Sequence, residues 1–98
     1  MIYDKETAEK LQEQTFAFVD VRSEDHVLYI KLDRAHKKNA LNPTIVNELA
    51  YALSHAHFNN DIWLVELQAE GDVFCAGADL KAFMGINEEH NSTIPDPP

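Results

Sequence analysis

The sequence predicts an α/β fold made of a β-hairpin, a helix, a buried strand and a short helix. Apolar and polar residues alternate over residues 26–34, which is the period of a strand with one buried face. Apolar residues then recur at helical spacing over residues 43–58, and a nearly continuous apolar run follows at residues 62–68. A helix followed by a buried strand is typical of a βαβ unit in a layered α/β fold.

The first third of the chain predicts an N-terminal arm followed by the hairpin. Residues 4–14 are polar and helix-prone with a thin apolar stripe, which indicates a solvated helix or a loose arm. Residues 15–22 and 26–34 favour strands and flank a turn-like segment at residues 23–25, so a hairpin is the natural interpretation. The residues expected on the buried face of its second strand are Leu28, Ile30 and Leu32.

The middle of the chain predicts a loop, a helix and a strand. Residues 35–42 are expected to form the loop, after which Asn42 can cap the helix and Pro43 fits its first position. The apolar positions that repeat along this helix are Ile45, Leu49, Ala52, Leu53 and Ala56. Residues 59–61 break the pattern, and the apolar residues 62–68 then predict a strand covered on both faces.

The last third predicts a turn, a short helix and a polar tail. We expect the strand to extend to about Phe74, Asp79 to cap a helix at residues 80–84, and Gly85 to end it. Residues 86–98 are polar and end in PDPP, which cannot form a regular helix. One βαβ unit with a hairpin leaves strand edges uncovered, so we expect another segment to complete the domain.

Composition limits the classes of function. The 98 residues carry 17 acidic against 8 basic side chains, a net charge of −9. This charge argues against a broad nucleic-acid or anionic-membrane surface, although it allows one local phosphate site. The single cysteine, Cys75, fits a reducing compartment, and the charged N-terminus lacks the apolar core of a signal peptide. No apolar run approaches the length of a membrane span, so we expect a soluble, cytoplasmic protein.

The stretch FCAGADLKAF (residues 74–83) is the candidate site, because it places small residues between the strand and the short helix. The amide of Ala78 would lie just before the helix, where unpaired N–H groups favour a developing negative charge. Gly77 permits a backbone conformation that a side chain would block. The anionic oxygen of a substrate carbonyl is such a charge. The alternatives are that the small residues merely pack, and that Asp79 is a plain helix cap with no substrate role.

Other reactive or aromatic residues give weaker signals. Cys75 has no clear activating base, so a small buried filler is the simpler interpretation. His55 and His57 lie two residues apart on a helix and do not share a face, so no metal site is expected. Residues expected in buried strand positions are Trp63 and Phe74. Residues that could line an acyl pocket or pack in the core are Phe83 and Met84.

Three motifs in this order resemble the crotonase superfamily, which contains the enoyl-CoA hydratases and isomerases. They are the strand-ending triplet Leu32-Asp33-Arg34, the loop triplet Asn39-Ala40-Leu41, and the segment from Phe74 to Lys81 that reads FCAGADLK. The resemblance covers about residues 17–84. It implies an α/β crotonase-like (ClpP/crotonase) ββα spiral fold, of which residues 16–85 would be the N-terminal part. Residues 1–15 would be an extension, and residues 86–98 a mobile polar loop.

The resemblance also implies roles for particular residues. Members of the family bind acyl-CoA thioesters, and the backbone N–H that matches Ala78 is one of two oxyanion-hole donors to the thioester oxygen. Lys38 matches a basic residue that often lies near the CoA phosphates, although a solvated basic loop is the open alternative. The residues that match positions lining the CoA groove are Ala40, Ala76, Asp79 and Leu80.

The chemistry of the family passes through a thioester enolate, and a carboxylate transfers the proton. The second oxyanion donor and the catalytic carboxylates of the family lie further downstream, and nothing marks Glu88 or Glu89 as catalytic. The resemblance thus implies the N-terminal part of a hydratase or isomerase of fatty acid metabolism. Its partners would be an acyl-CoA substrate and a separate C-terminal fragment, within a homotrimer or hexamer. CoA would enter only as part of the substrate, with no other cofactor and no metal. The alternative is a truncated non-catalytic paralogue that binds CoA or a protein partner.

Overall fold

The computed structural model describes residues 2–97 and has the predicted α/β architecture. Strands β1 and β2 form a hairpin, helix α2 crosses over to strand β3, and a loop leads to the short helix α3. A short helix, α1, precedes the hairpin, and 3₁₀ turns lie at Leu11–Glu13 and Ala35–Lys37. The elements are α1 Lys5–Ala8, β1 Val19–Glu24, β2 Val27–Leu32, α2 Pro43–Phe58, β3 Leu64–Ala69 and α3 Leu80–Phe83.

The hairpin closes through a two-residue turn. Strands β1 and β2 pair in antiparallel register from Val19 opposite Leu32 to Glu24 opposite Val27. Asp25 has a φ of 51° and His26 a φ of 68°, and two positive φ angles in a row are the mark of a type I′ turn. The turn therefore lies at residues 25–26 rather than at the predicted 23–25. As predicted, the buried side chains of β2 are Leu28, Ile30 and Leu32.

Strand β2 lies in the centre of the sheet, which has the order β1-β2-β3 within residues 2–97. Strands β2 and β3 run parallel, so helix α2 forms the crossover between them. The predicted start of α2 is confirmed, because the Asn42 side chain accepts a hydrogen bond from the Ile45 N–H at 2.7 Å and Pro43 is the first helical residue. Ile45 and Ala52 are fully buried against the sheet, whereas Leu53 is exposed.

Strand β3 is not covered on both faces, which corrects the sequence-based prediction. Val65 and Ala69 pack against the core, but Leu64 and Leu67 are 60% and 51% exposed. Trp63, just before the strand, is 74% exposed. Val65, Leu67 and Ala69 share the face turned toward the core, and even there Leu67 is left half-exposed. Leu64 lies on the opposite face, which no other helix or strand among residues 2–97 covers. An apolar run indicates that a strand is suited to burial on both faces, but it does not show that an element is present to cover both faces.

The predicted strand also ends earlier than expected. It stops at Ala69 instead of continuing to about Phe74, and Phe74 is 55% exposed. Gly71 turns the chain with a φ of 84° beside Ala35. Residues 70–79 therefore form a loop that leads from the end of β3 to α3.

The N-terminal arm is docked rather than solvated or loose. Tyr3 and Ala8 are buried, and the Tyr51 hydroxyl of α2 donates a hydrogen bond to the Thr7 carbonyl at 2.7 Å. His55 Nδ1 likewise donates to the Ala8 carbonyl at 2.7 Å. Two buried side chains and two hydrogen bonds to its backbone carbonyls therefore attach the arm to α2. No helix in the described part of the chain is long and apolar enough to cross a lipid bilayer.

A buried carboxylate joins α2 to the segment before β1. Glu48 is fully buried, and its two oxygens accept hydrogen bonds from the N–H groups of Ala17 at 2.5 Å and Phe18 at 2.8 Å. These two bonds satisfy both the carboxylate and two backbone donors that lie just before the first residue of β1. Glu48 therefore fixes the entry of the chain into the hairpin.

We predict that Glu48→Gln destabilises the chain by about 1–3 kcal/mol, because one backbone N–H would then face an amide donor instead of an acceptor. The free energy of unfolding in urea, followed by circular dichroism, measures the effect. Glu66→Gln is the matched control, since Glu66 is exposed on β3, and its change should stay within about 0.5 kcal/mol. Equal effects of the two substitutions would contradict the assigned role of Glu48.

Candidate functional site

Two loop segments lie side by side and bring most of the predicted site residues together. The Leu41 N–H donates to the Gly77 carbonyl, and the Asp79 N–H donates to the Leu41 carbonyl, both at 2.7 Å. The Ala76 N–H donates to the Lys38 carbonyl at 3.1 Å. Residues 38–41 and 76–79 thus form a short parallel pairing beyond the carboxyl ends of β2 and β3. This is the region where ligands bind in open α/β structures.

The backbone N–H of Ala78 is free in this pairing. Ala78 is exposed, and its N–H has no hydrogen-bond acceptor among residues 2–97. The hydrogen bonds on either side of Ala78 use the Gly77 carbonyl and the Asp79 N–H, so the amide of Ala78 itself points away from residues 38–41. The result is a fixed donor that faces outward.

The geometry of Gly77 favours the conformational interpretation over simple packing. Gly77 has a φ of 102°, a region that other residues rarely adopt. A Cβ built at this position would meet no atom of the described residues within 4 Å. Ala76 and Ala78 are both exposed. The small residues of this turn therefore do not fill a tightly packed junction, and Gly77 is needed for its backbone conformation.

The side chain of Arg34 joins the two loop segments. It is 2% exposed, with Nη1 donating to the Ala40 carbonyl and Nη2 to Asp79 Oδ2, each at 2.9 Å. Its Nε donates to Glu88 Oε1 at 2.5 Å. A single buried guanidinium thereby holds the loop after β2, the residue after Ala78, and the segment after α3. In the sequence, Arg34 is recognisable only as part of the Leu32-Asp33-Arg34 motif, and none of these contacts is predicted.

Asp79 is an ionised helix cap. Its carboxylate accepts from Arg34 and, at 3.2 Å, from the Ala82 N–H, and these two contacts hold the pKa of Asp79 below its usual value. The cap that the sequence predicted is therefore confirmed. A carboxylate held in its charged form in this way is a poor proton donor at neutral pH, so Asp79 is better suited to be a helix cap than a catalytic acid.

Asn39 is a second buried anchor, and its contacts were not predicted from the sequence. Its side-chain oxygen accepts from the Arg34 N–H at 2.9 Å. Its side-chain nitrogen donates to the carbonyls of Glu70 at 2.7 Å and Val73 at 2.8 Å. Lys38 and Asn39 both have left-handed backbone angles, with φ of 53° and 56°. Asn tolerates this conformation better than most residues, and that tolerance was the available signal in the sequence.

The remaining candidate residues fall into three groups. Cys75 is half-buried and packs against the hydrophobic core, in agreement with its interpretation as a filler. Phe83 and Met84 are 53% and 80% exposed, so packing in the core is wrong for both. Leu80 is 72% exposed at the start of α3. Within residues 2–97, no three His, Cys, Asp or Glu side chains cluster closely enough to hold a metal ion.

Comparison with known proteins identifies the family. The family described as Enoyl-CoA hydratase/isomerase matches residues 22–96, so this chain belongs to the enoyl-CoA hydratase/isomerase family and has the crotonase fold. The enoyl-CoA hydratase/isomerase of Pseudoalteromonas atlantica is similar in structure, with a TM-score of 0.67 and 37% identity, over 72% of this chain and 28% of that one.

Two curated relatives show how far the match extends. A Bacillus subtilis protein described as an enoyl-CoA hydratase/isomerase is 35% identical over 66 residues, which is 66% of this chain and 25% of the relative. The human testis-specific chromodomain protein Y 1 is 38% identical over 71 residues, which is 71% of this chain and 13% of the relative. The chain thus spans about a quarter, or less, of the curated relatives that it matches.

We predict that Asn39→Asp destabilises the chain by at least about 2 kcal/mol at neutral pH, because the second carboxylate oxygen would face two carbonyl oxygens. Those carbonyls would raise the folded-state pKa of the new carboxyl above its unfolded value. The folded protein would then bind the extra proton, and the loss of stability should grow as the pH rises through the normal range for Asp.

Urea unfolding at acidic and at neutral pH measures this prediction. Asn60→Asp is the control, because Asn60 is exposed at the turn after α2 and the same charge is added there. A loss of stability for Asn39→Asp that does not depend on pH beyond that of the control would contradict the account of the Asn39 contacts.

Proposed function

We propose that this chain is the N-terminal part of an acyl-CoA-binding enzyme of the hydratase/isomerase type, in which Ala78 donates its N–H to the thioester oxygen. The free, outward-facing amide of Ala78 is the observation that carries the proposal. A thioester enolate places negative charge on that oxygen. A donor held by fixed neighbours stabilises this charge without reorganising as the charge develops.

The residues next to Ala78 form the proposed CoA-binding surface. Ala40 and Ala76 lie on the two paired segments, and Leu80 is exposed at the start of α3. In this proposal Asp79 contributes through its backbone, because its carboxylate is already bound to Arg34. These groups can lie along an extended ligand without any of them changing its protonation state.

Lys38 is the proposed contact for a CoA phosphate. It is exposed, forms no ion pair with residues 2–97, and lies in a chain of net charge −9. Its backbone carbonyl is already fixed by the Ala76 N–H, so the base of the side chain is held next to the proposed site. A point positive charge at this position would favour a phosphate group over a neutral ligand.

The acid–base group of the reaction is proposed to lie on another segment of the enzyme. The carboxylates of Asp79 and Glu88 both pair with Arg34, and these contacts favour their charged forms. We propose that a C-terminal fragment supplies the catalytic carboxylates and the second N–H donor. The exposed apolar side chains at β3 support a packed partner there: Leu64 lies on the face away from the core, Leu67 on the incompletely covered face toward it, and Trp63 just before the strand.

The assembly, the location and the cofactor use of this enzyme are also part of the proposal. A homotrimer or hexamer is the assembly that we propose for the complete enzyme. A cytoplasmic location is proposed because Cys75 is a free thiol and no partner cysteine exists in the chain. CoA is proposed to enter only as part of the thioester substrate, without a further cofactor.

Ala78→Pro tests the proposed donor, because it removes the N–H and leaves the hydrogen bonds of Gly77 and Asp79 to residues 38–41 available. We expect the chain to bind acetyl-CoA about three- to tenfold more tightly than free CoA, which is the value of one hydrogen bond to the thioester oxygen. The preference should disappear in Ala78→Pro. Titration calorimetry with each ligand measures both affinities.

Ala78→Gly is the matched control, since it keeps the N–H and should keep the preference for the thioester. A preference that survives in Ala78→Pro would overturn the oxyanion role of Ala78. Equal weakening of acetyl-CoA and CoA in Lys38→Ala would support the phosphate contact independently. If neither ligand binds any of these proteins, the proposal of a CoA-binding surface is wrong.

A second candidate function is a non-catalytic module that binds CoA or a protein partner. The observation that favours it is the match to a chromodomain protein, whose name describes no enzyme. Intact-mass measurement of the purified protein, with an enoyl-CoA turnover assay on the same sample, separates the two. A second polypeptide together with turnover supports the enzyme. The 11.1 kDa chain alone, without turnover, supports the module.

A further inference from the structure

Residues 87–95, called the strap below, fold back across the body of the protein after α3. They form no helix or strand, yet they are attached at several points. Thr93 exchanges two hydrogen bonds with Thr15, from the Thr93 N–H to the Thr15 carbonyl at 2.9 Å and from the Thr15 N–H to Thr93 Oγ1 at 2.7 Å. The Tyr3 hydroxyl donates to the Pro95 carbonyl at 2.5 Å. The strap therefore reaches the docked N-terminal arm.

The first attachment of the strap is the carboxylate of Glu88. Glu88 Oε1 accepts from Arg34 Nε at 2.5 Å, and Oε2 lies 3.2 Å from His36 Nε2. Burial opposes the charged form, but the hydrogen bonds from Arg34 and His36 outweigh it and hold the pKa of Glu88 below its usual value. Glu88 is thus an anion bound by its own chain.

The surroundings of Glu88 form a positively charged pocket. The side chain lies in a cleft of about 300 Å³ that is lined by Arg34, Lys37, Asp79 and Lys81, with Ile86 to Glu88 as the remaining wall. Without Glu88, three cationic side chains in this cleft would face the single carboxylate of Asp79. Such a concentration of positive charge stands out in a chain with more than twice as many acidic as basic residues.

We propose that Glu88 is an internal ligand that closes an anion-binding pocket, and that a phosphate group enters the pocket when the strap lifts. The Arg34 N–H that Glu88 occupies is a charge-assisted donor that a phosphate oxygen can accept equally well. Lys37 and Lys81 then supply charge for the additional negative charge of phosphate. Glu88 and the entering anion compete for one guanidinium, so occupancy of the pocket and closure of the strap exclude each other.

Glu88→Gln in the full chain tests this proposal, with Glu89→Gln as the matched control. Glu89 is the next residue, is exposed, and carries the same charge, so both variants have the same net charge. We expect Glu88→Gln to bind inorganic phosphate on the order of tenfold more tightly than the wild-type chain, because an internal charged competitor is lost. Shifts of the Lys37 and Lys81 amide signals in nuclear magnetic resonance spectra report the binding.

Hydrogen exchange at the Thr93 amide reports the strap itself. This amide should exchange on the order of tenfold faster in Glu88→Gln, while amides of the central strand β2 keep their protection. Both rates in Glu89→Gln should match those of the wild-type chain. Added phosphate should also speed exchange at Thr93 in the wild-type chain, relative to chloride at equal ionic strength.

Three results would overturn the proposal. Equal phosphate affinity in Glu88→Gln and Glu89→Gln would remove the internal competition. Unchanged exchange at Thr93 in Glu88→Gln would show that Glu88 does not hold the strap. If Glu88→Gln does not fold, Thr93→Val replaces it, because this substitution loosens the strap without altering the pocket. An unchanged phosphate affinity in Thr93→Val would then be the third contradicting result. These experiments use no acyl-CoA, so their outcome is independent of the proposed enzymatic role.

Discussion

The buried guanidinium of Arg34 is the constraint on which the candidate site depends. An Arg side chain that is almost wholly removed from water must have its charge and its donors satisfied, or the folded state loses several kcal/mol. Arg34 meets this requirement with acceptors from Ala40, Asp79 and Glu88. These three acceptors lie in separate segments of the chain, so satisfying one side chain forces the segments into one arrangement. The described residues leave no buried side-chain polar atom without a partner.

The position of Arg34 in the fold allows its contacts to fix the loops of the candidate site. Strands β2 and β3 are parallel, so their carboxyl ends meet at one edge of the sheet, and Arg34 follows the end of β2. Asn39 then ties the loop after β2 to the loop after β3. With both loops fixed, the pairing between Leu41 and Ala78 determines which backbone groups are used and which remain free. The free amide of Ala78 is thus a consequence of the contacts of Arg34, Asn39 and Leu41, none of which involves the Ala78 N–H itself.

Local patterns in the sequence predicted the elements, whereas long-range contacts could not be predicted from them. The alternation in β2 and the caps Asn42 and Asp79 act within a few residues, so the sequence displays them directly. Glu48, by contrast, binds N–H groups about 30 residues away. Nothing in the sequence around it distinguishes it from a solvent-exposed glutamate. Arg34 is hidden in the same way, because a charged residue in a basic loop predicts exposure. The prediction that β3 is covered on both faces was wrong for a different reason, since an apolar composition suits a strand to burial without supplying the element that covers it.

The turn holds the Ala78 N–H free, while the N–H groups of Asp79 and of Leu41 on the paired segment are bound. Hydrogen exchange of these backbone amides in the unliganded chain, measured by nuclear magnetic resonance, tests this arrangement most directly. We expect that Leu41 and Asp79 are protected and that Ala78 exchanges at nearly the rate of an unstructured amide. Protection of Ala78 equal to that of Asp79 would mean that its N–H already has an acceptor. The turn would then offer no free donor for a thioester oxygen.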